Sequence, residues 1–360
     1  MRKVQISMVK PGDKLAKPVF QDNGNVLLGE GVELNDRFIQ RLISLGIDFL
    51  FIQDAMTTDL EPEDTIRDET RKQAVDEIYK TINLFKDQNA MKGRTIAPDL
   101  GRTFRHVFGD IMQDLYTRPN ILVNLTSIHS IDAYLYQHSF NVAVLAGIMG
   151  VAKGFNRNQL EELGVGALLF DIGMSKVPKE ILSKAGALTP SERTVVENHT
   201  KEGFDILRKF HDISIVSAHC ALQHHERFNG SGYPRSLKGD DIHMYAQIVG
   251  LADTYDALTS PRPYRKRYTP NEAIEFLFAA GGTFFDFELI KLFCKHICIY
   301  PVSTTLRLST GQIGVVSENN ELALHRPRVR IVKEADGTEP NSPYEIELKD
   351  EAYITIVEEL

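Results

Sequence analysis

The chain has 360 residues, of which 42% are hydrophobic and 25% charged, a balance typical of a soluble globular protein with two or three domains. Its net charge of −8, from 41 Lys and Arg against 49 Asp and Glu, excludes a general electrostatic attraction to nucleic-acid polymers or anionic membranes. A phosphate-bearing ligand therefore needs a local basic or metal site.

Cysteine content and apolar segments indicate the compartment. Three cysteines, Cys220, Cys294 and Cys298, are too few for a disulfide framework and indicate reducing conditions. The spacing of Cys294 and Cys298 is unusual for zinc and no second ligand pair follows, so buried core cysteines are expected. The start MRKVQISMVKPGDKL lacks the apolar core of a signal peptide, and the longest apolar stretch, around 140–152, is too short to span a bilayer. We expect a cytoplasmic protein without a membrane segment.

Residues 1–57 are predicted to form a small α+β domain. The alternation of Val4 and Ile6 with polar residues is typical of a strand, and residues 49–52 predict another strand. Between them, Asn35 is a suitable cap for a short amphipathic helix.

Residues 58–100 are charged, show no strand pattern and are interpreted as a helical linker. One helix in this range has a single apolar stripe at spacings of three and four, formed by Val75, Ile78, Ile82 and Phe85. The sequence leaves open whether this stripe packs on a neighbouring domain or forms a dimer seam.

Residues 101–297 predict consecutive helices joined by Gly, Pro and Asn loops. Helix follows helix without an alternating strand, so a mainly α fold built on a helical bundle is expected. Residues 298–360 change character and predict a small β appendage. Its strand-like segments are 306–308, 313–316, 329–331 and 353–357.

Histidines and aspartates form one pattern within the predicted bundle. Its members follow or lie within helical segments: His138, Asp171, His199, His224, His225 and Asp253. Any one of them alone is better explained as a satisfied core or surface residue, which is our interpretation of the other histidines. As a group, imidazoles and carboxylates on facing helices are suited to a transition metal such as iron, manganese, zinc or nickel.

A longer signature accompanies this pattern. It reads HHERFNGSGYP at residues 224–234 and DTYDALTSPRPYR at residues 253–265. On these motifs the chain resembles the HD-GYP family from about His129 to Asp286. The resemblance implies an HD-GYP helical bundle and the cyclic di-GMP phosphodiesterase class, in which two metal ions activate water for attack on phosphorus. The regions on either side look like extensions common on such proteins.

The resemblance also implies roles for individual residues. The family's metal-ligand positions fall on His138, Phe170, Asp171, His199, His224, His225 and Asp253. Asp171 would be the catalytic residue that bridges two metals. Tyr233, Arg262 and Arg265 would bind substrate, since a guanidinium can hold an anion bidentately. Some members add a glutamate where this chain has Tyr134, so a third metal is not expected.

Two departures from the family pattern bear on function. The motif His-Asp-x-x-Lys reads Phe170-Asp171-Ile172-Gly173-Met174 in this chain. Phenylalanine cannot ligate a metal, and methionine cannot offer a phosphate the positive charge of lysine. We therefore expect one or two divalent transition metals, with iron or manganese first and zinc or nickel as alternatives, and weaker binding at the half that lost its histidine. Asn229, where aspartate is common, is a milder change.

Two functions remain open from the sequence. One is a hydrolase of cyclic di-GMP or cyclic GMP-AMP whose metal chemistry is impaired or altered. The other is a sensor of cyclic dinucleotides, or a scaffold that contacts other signalling proteins through its outer domains. The lost His and Lys favour the second function, whereas the nearly complete ligand set favours the first. The GYP segment disfavours a mononucleotidase, and a homodimer is compatible with the sequence.

Overall fold

A computed structural model describes residues 1–20, 26–61, 65–86, 99–117, 134–182, 184, 186–260, 267–320 and 323–360. Helices form the central body, a small α+β unit precedes it and a β-sheet follows it. The predicted fold class, mainly α with a β appendage, is confirmed.

The N-terminal unit is built from two short antiparallel strand pairs and one helix. Strand β1 (Arg2–Gln5) pairs with β4 (Phe49–Ile52), and β2 (Val19–Phe20) pairs with β3 (Val26–Leu28). Helix α1 (Asp36–Ser44) begins as predicted, because Asn35 Oδ1 accepts a hydrogen bond from the Phe38 amide at 2.9 Å. The strand predicted through Ile6 is one residue too long, since a 3-10 turn begins there.

The helical body surrounds one apolar helix. Its helices are α2 (Asp68–Lys86), α3 (Leu100–Tyr116), α4 (Tyr134–Ala152), α5 (Arg157–Leu169), α6 (Lys179–Leu182), α7 (Pro190–Glu197), α8 (His199–Leu207), α9 (Ile215–Gln223), α10 (Met244–Thr259), α11 (Pro270–Ala279) and α12 (Phe287–Cys294). Within α4, the window Leu135–Ala152 has the length and composition of a membrane span, but 78% of it is buried inside the protein. Helix α4 packs against α2, α5 and α10 and is the core helix of the bundle.

Helix α2 belongs to the same core. Ile78, Ile82 and Phe85 of the predicted stripe are at most 2% exposed and pack in the cluster that also contains the residues of α4 and α5. The stripe is thus covered by the chain's own helices.

The C-terminal sheet has five strands in the order β8-β7-β6-β5-β9, with every neighbouring pair antiparallel. The strands are β5 (Thr305–Leu308), β6 (Ile313–Glu318), β7 (Arg328–Lys333), β8 (Tyr344–Glu347) and β9 (Ile356–Glu359). Two expectations were wrong. The last strand begins at Ile356 and not at Tyr353, and β8 was not predicted, because this edge strand is only partly buried and lacks a strong apolar alternation.

The N-terminal unit and the C-terminal sheet meet through a buried ion pair. Lys3 Nζ lies 2.6 Å from Glu359 Oε1, and each side chain is only 10% exposed. The ring of Phe49 lies under the Lys3 ammonium and also under the guanidinium of Arg267, which comes from the helical body. All three parts of the chain therefore meet at one junction. The cysteines form no disulfide; Cys220 and Cys298 are buried, whereas Cys294 is half-buried.

Candidate metal centre

Helix ends bring the predicted ligands together. Asp171 precedes the short 3-10 helix Ile172–Lys176, His199 is the first residue of α8, and His224 follows the last residue of α9. His138 lies in α4 and Asp253 in α10, two helices that pack against each other. Both lie toward the interior of the bundle, since His138 is 4% and Asp253 8% exposed.

Two glycines allow the close approach of these helix ends. A Cβ atom on Gly173 would lie 1.9 Å from the backbone oxygen of His199, and one on Gly250 would lie 2.4 Å from the backbone oxygen of His224. No side chain fits at such distances, so both positions require glycine. Gly173 thereby holds the segment after Asp171 against α8, and Gly250 holds α10 against the end of α9.

Four of the predicted ligands converge. His199 Nε2 lies 3.2 Å from His224 Nε2, and Asp171 Oδ1 lies 3.3 Å and 3.7 Å from these two atoms. His225 joins them, because one nitrogen of each of the three histidines lies within 4.8 Å of the others. Donors about 2.1 Å from one metal ion are separated by roughly 3 to 3.5 Å, so these spacings suit a shared ion.

The outer ring nitrogens fix the direction of the histidines. His199 Nδ1 lies 2.6 Å from the Val196 carbonyl oxygen, and His224 Nδ1 lies 3.0 Å from the carbonyl oxygens of Cys220 and Ala221. A carbonyl only accepts, so each Nδ1 carries a hydrogen, and in the neutral imidazole each Nε2 presents a lone pair. Two such lone pairs that face each other at 3.2 Å repel, so either a proton on His199 Nε2 or a metal cation must lie between them. The residues present therefore fit a divalent transition metal at this place.

The pKa values of the histidines follow from burial and from the neighbouring carboxylates. Burial, reinforced by the charge of His199, lowers the pKa of His224 to about 4. Burial also holds the pKa of His225 well below its ordinary value. Burial also opposes the charged form of His199, but the hydrogen bond and charge of Asp171, the Val196 carbonyl and the charge of Asp253 together outweigh burial and raise its pKa. Two of the three imidazoles are thus neutral and ready to ligate at neutral pH.

His138 and Asp253 form the other half of the centre. His138 Nε2 lies 2.9 Å from Asp253 Oδ1, and His138 Nδ1 lies 2.6 Å from Asp256 Oδ2. The sequence reasoning missed Asp256, which also accepts hydrogen bonds from Asn141 and Ser260. Its spacing of three residues from Asp253 on one helix is the signal that would have revealed it. Asp256 fixes the orientation of His138, as a carboxylate beside a metal-ligating histidine does.

Phe170 fills the position that the resemblance assigns to a ligand. It is fully buried, and its ring lies edge-on to His138 and to His224, with centroid distances of 5.7 Å and 4.9 Å. An aromatic ring between these two histidines supplies no donor atom. The group of His138 and Asp253 thus offers fewer candidate donor atoms than the group of His199, His224 and His225.

Tyr233 lies against the candidate centre. The Tyr233 ring stacks on His225 with centroids 4.8 Å apart and an angle of 29°. Burial, together with the charge of Asp171, raises the pKa of the Tyr233 phenol. Glu226 shapes this loop by accepting hydrogen bonds from the amides of Arg235 and Leu237 at 2.8 Å and 3.0 Å. Arg262 and Arg265 lie outside the described residues.

Comparison with known proteins identifies two segments. Residues 119–289 match the family model of the HD domain, and residues 305–360 match that of the KOW domain associated with HD domain. The first match contains every converging residue of the candidate centre, and the second coincides with the five-stranded sheet.

Several curated proteins with similar sequences are named as cyclic-dinucleotide phosphodiesterases. The cyclic di-GMP phosphodiesterase PA4108 of Pseudomonas aeruginosa is 36% identical over 224 residues, which cover 62% of this chain and 53% of that protein. A cyclic di-GMP phosphodiesterase of Thermotoga maritima is 34% identical and covers 54% of this chain and 53% of that protein. The 3'3'-cGAMP-specific phosphodiesterase 2 of Vibrio cholerae is 30% identical and covers 55% of this chain and 38% of that protein. The chain thus spans about half or less of the length of these relatives.

Proposed function

We propose that the chain is a metal-dependent phosphodiesterase of the cyclic di-GMP class, built on an HD domain of the HD-GYP type, whose metal chemistry is altered by Phe170. The observation that carries this proposal is the convergence of His199 Nε2, His224 Nε2 and Asp171 Oδ1 within 3.7 Å. The names of the relatives favour cyclic di-GMP or cyclic GMP-AMP as the substrate.

The proposed centre has a complete and an incomplete half. Asp171, His199, His224 and His225 would hold one divalent cation, with iron or manganese preferred and zinc or nickel as alternatives. His138, Asp253 and a shared Asp171 would hold a second cation only weakly, because Phe170 contributes no ligand. A bound cation would polarise the phosphoryl oxygens and lower the pKa of a water molecule.

The protein's own residues would orient and enclose the substrate. The carbonyls of Val196 and Cys220 keep the Nε2 atoms of His199 and His224 pointed inward, so no reorganisation is needed on binding. The raised pKa of Tyr233 keeps its phenol protonated at neutral pH, as a hydrogen-bond donor beside the centre. Arg262 and Arg265 are proposed to bind substrate phosphate or guanine, each contact contributing roughly 1.5–3 kcal/mol.

A second candidate function is a cyclic-dinucleotide sensor or scaffold without useful turnover. The burial of Phe170 between His138 and His224 favours the sensor, because its ring takes the place of a metal ligand beside His138. Met174, half-buried in place of the family's lysine, favours it as well. In this alternative the outer domains contact other signalling proteins, and a homodimer remains a proposal.

Binding and turnover measured on the same metal-loaded protein distinguish the two functions. Cyclic di-GMP and 3'3'-cyclic GMP-AMP would each be titrated calorimetrically, and the products followed by chromatography. Hydrolysis that persists in His219→Ala, a histidine of α9 outside the centre, but disappears in His224→Ala supports the enzyme. Binding without hydrolysis at saturating metal supports the sensor. No binding of either dinucleotide contradicts both functions.

A further inference from the structure

Arg227 lies at the edge of the candidate centre, and no carboxylate in the described part of the chain neutralises its charge. It follows His224 and His225 in the chain, and its side chain is half-buried. The Nη1 atom is completely buried and has no hydrogen-bond partner. No carboxylate of the described part of the chain lies within ion-pair distance of its guanidinium. Burying a charge without a counter-charge costs free energy of folding, so a partly buried arginine at this position is expected to serve a function.

An aromatic platform holds the guanidinium in place. The Arg227 Cζ atom lies 5.5 Å from the ring centroid of Phe284 and 5.1 Å from that of Phe285. The loop carrying these rings is tied to the residues after Arg227, since the Phe228 amide donates to the Phe284 carbonyl at 3.0 Å. Stacking stabilises the cation but forms no hydrogen bond with its N–H groups, so the need of the guanidinium for an acceptor is not met by the two rings.

Three other arginines of the described part of the chain are satisfied differently. Arg330 pairs with Asp59 and Glu345, and Arg326 donates to several backbone carbonyls. Arg208 also lies over a phenylalanine, but it is exposed and forms an ion pair with Asp205 at 2.7 Å. Compared with these three arginines, Arg227 combines partial burial, a fixed platform and an unmet donor.

The surroundings of Arg227 contain the groups of the proposed centre. Burial lowers the pKa of Arg227, and the nearby Asp253 and Tyr233 act in the opposite direction. A guanidinium stays charged under such conditions. Its positive charge therefore lies beside the residues that would face the substrate.

We propose that Arg227 binds a phosphate of the substrate: its guanidinium, held on Phe284 and Phe285, is the donor for a non-bridging oxygen of a phosphodiester anion. This inference rests on the proposed function and names the residue that supplies a positive charge in a centre where Met174 offers none. A charge-assisted, bidentate contact is the interaction for which arginine is suited.

The test is a titration of the metal-loaded full chain with cyclic di-GMP, for the parent and for Arg227→Met. Methionine keeps apolar contact with the two phenylalanine rings but removes the charge. We expect the Kd to rise about tenfold or more, with unchanged metal content. Arg208→Met, the matched removal of an arginine from a phenylalanine face, should bind as the parent does. If Arg227→Met does not fold, Arg227→Gln takes its place with the same expectation.

The outcomes separate this inference from the proposed function. An unchanged Kd in the folded, metal-loaded Arg227 variant overturns the role of Arg227 and leaves the proposed function intact. If the parent binds no cyclic dinucleotide, the proposed function fails, and inorganic phosphate becomes the probe. Phosphate binding that weakens in Arg227→Met then supports an anion site at Arg227. Equal or absent phosphate binding overturns it.

Discussion

The ring of Phe170 packs edge-on against the imidazole of His224, with centroids 4.9 Å apart and an angle of 81° between the rings. Phe170 makes a similar contact with His138, so one apolar ring separates two residues that the family pattern places around metal. In the proposed centre, one half therefore keeps its donor atoms, and the other has an apolar ring where the family pattern has a ligand.

Restoring the family residues tests whether the altered half has only lost a ligand. In Phe170→His with Met174→Lys, we expect a second metal equivalent and faster hydrolysis of cyclic di-GMP. The metal-free variant should lose about 2–4 kcal/mol of stability, because a buried phenylalanine is replaced by a polar ring. Metal binding should offset this loss.

The control for this repair is Phe170→Leu, which keeps the position apolar and should hold as much metal as the parent. Metal content and initial rates, measured after loading with manganese, decide the result. A double variant that binds no more metal and hydrolyses no faster than the parent shows a remodelled site, and the sensor function is then preferred.

Metal affinity should depend on pH through His199. The folded-state pKa of this residue is raised above its ordinary value, so its proton competes with metal below that pKa. Affinity should fall as the pH falls through the His199 pKa, and binding there should release about one proton. His224, whose pKa is about 4, should not compete above pH of about 5. Calorimetry in two buffers of different ionisation enthalpy measures the proton release; affinity that rises on acidification contradicts the assignment.

Gly173 should tolerate no side chain. In Gly173→Ala the added Cβ would lie 1.9 Å from the His199 carbonyl oxygen, so the backbone must shift. We expect a loss of about 1–3 kcal/mol in unfolding free energy, together with weaker metal binding. Gly186→Ala is the matched control, since a Cβ atom on Gly186 would meet nothing within 4 Å and no loss is expected. Equal denaturation midpoints for both variants would show that the contact is not required.

The hydrogen bond from His138 Nδ1 to Asp256 should contribute to stability and hold the His138 ring in its orientation. Asp256→Ala removes the acceptor of His138 Nδ1 and Asn141 Nδ2, which lie 2.6 Å and 2.8 Å away. Each buried donor left without a partner costs about 1–3 kcal/mol, so urea denaturation should show a loss of several kcal/mol. Asp205→Ala, which breaks an exposed ion pair, should change stability by less than about 1 kcal/mol. A comparable effect of the two substitutions would assign Asp256 no special role.

Features that extend over many residues could be predicted from the sequence, whereas contacts of single residues could not. The helical bundle and the clustering of the candidate ligands were predictable from the sequence, because long apolar periodicity and a gapped motif leave few alternatives. Asp256 was missed because its spacing of three residues from Asp253 was not used, and its contact with His138 is seen only in the fold. Arg227 is part of the sequence motif at residues 224–234, but only the packing of the fold shows that its Nη1 atom has no hydrogen-bond partner.

The central claim is a metal site at Asp171, His199, His224 and His225, and elemental analysis of the full chain tests it most directly. Protein loaded with iron or manganese and freed of excess ion would be measured for the parent, His224→Ala and the matched His219→Ala. We predict about one metal ion per chain or more in the parent and in His219→Ala, and far less in His224→Ala. A parent chain that retains no metal after loading, or a His224→Ala variant that retains as much as the parent, would contradict the account.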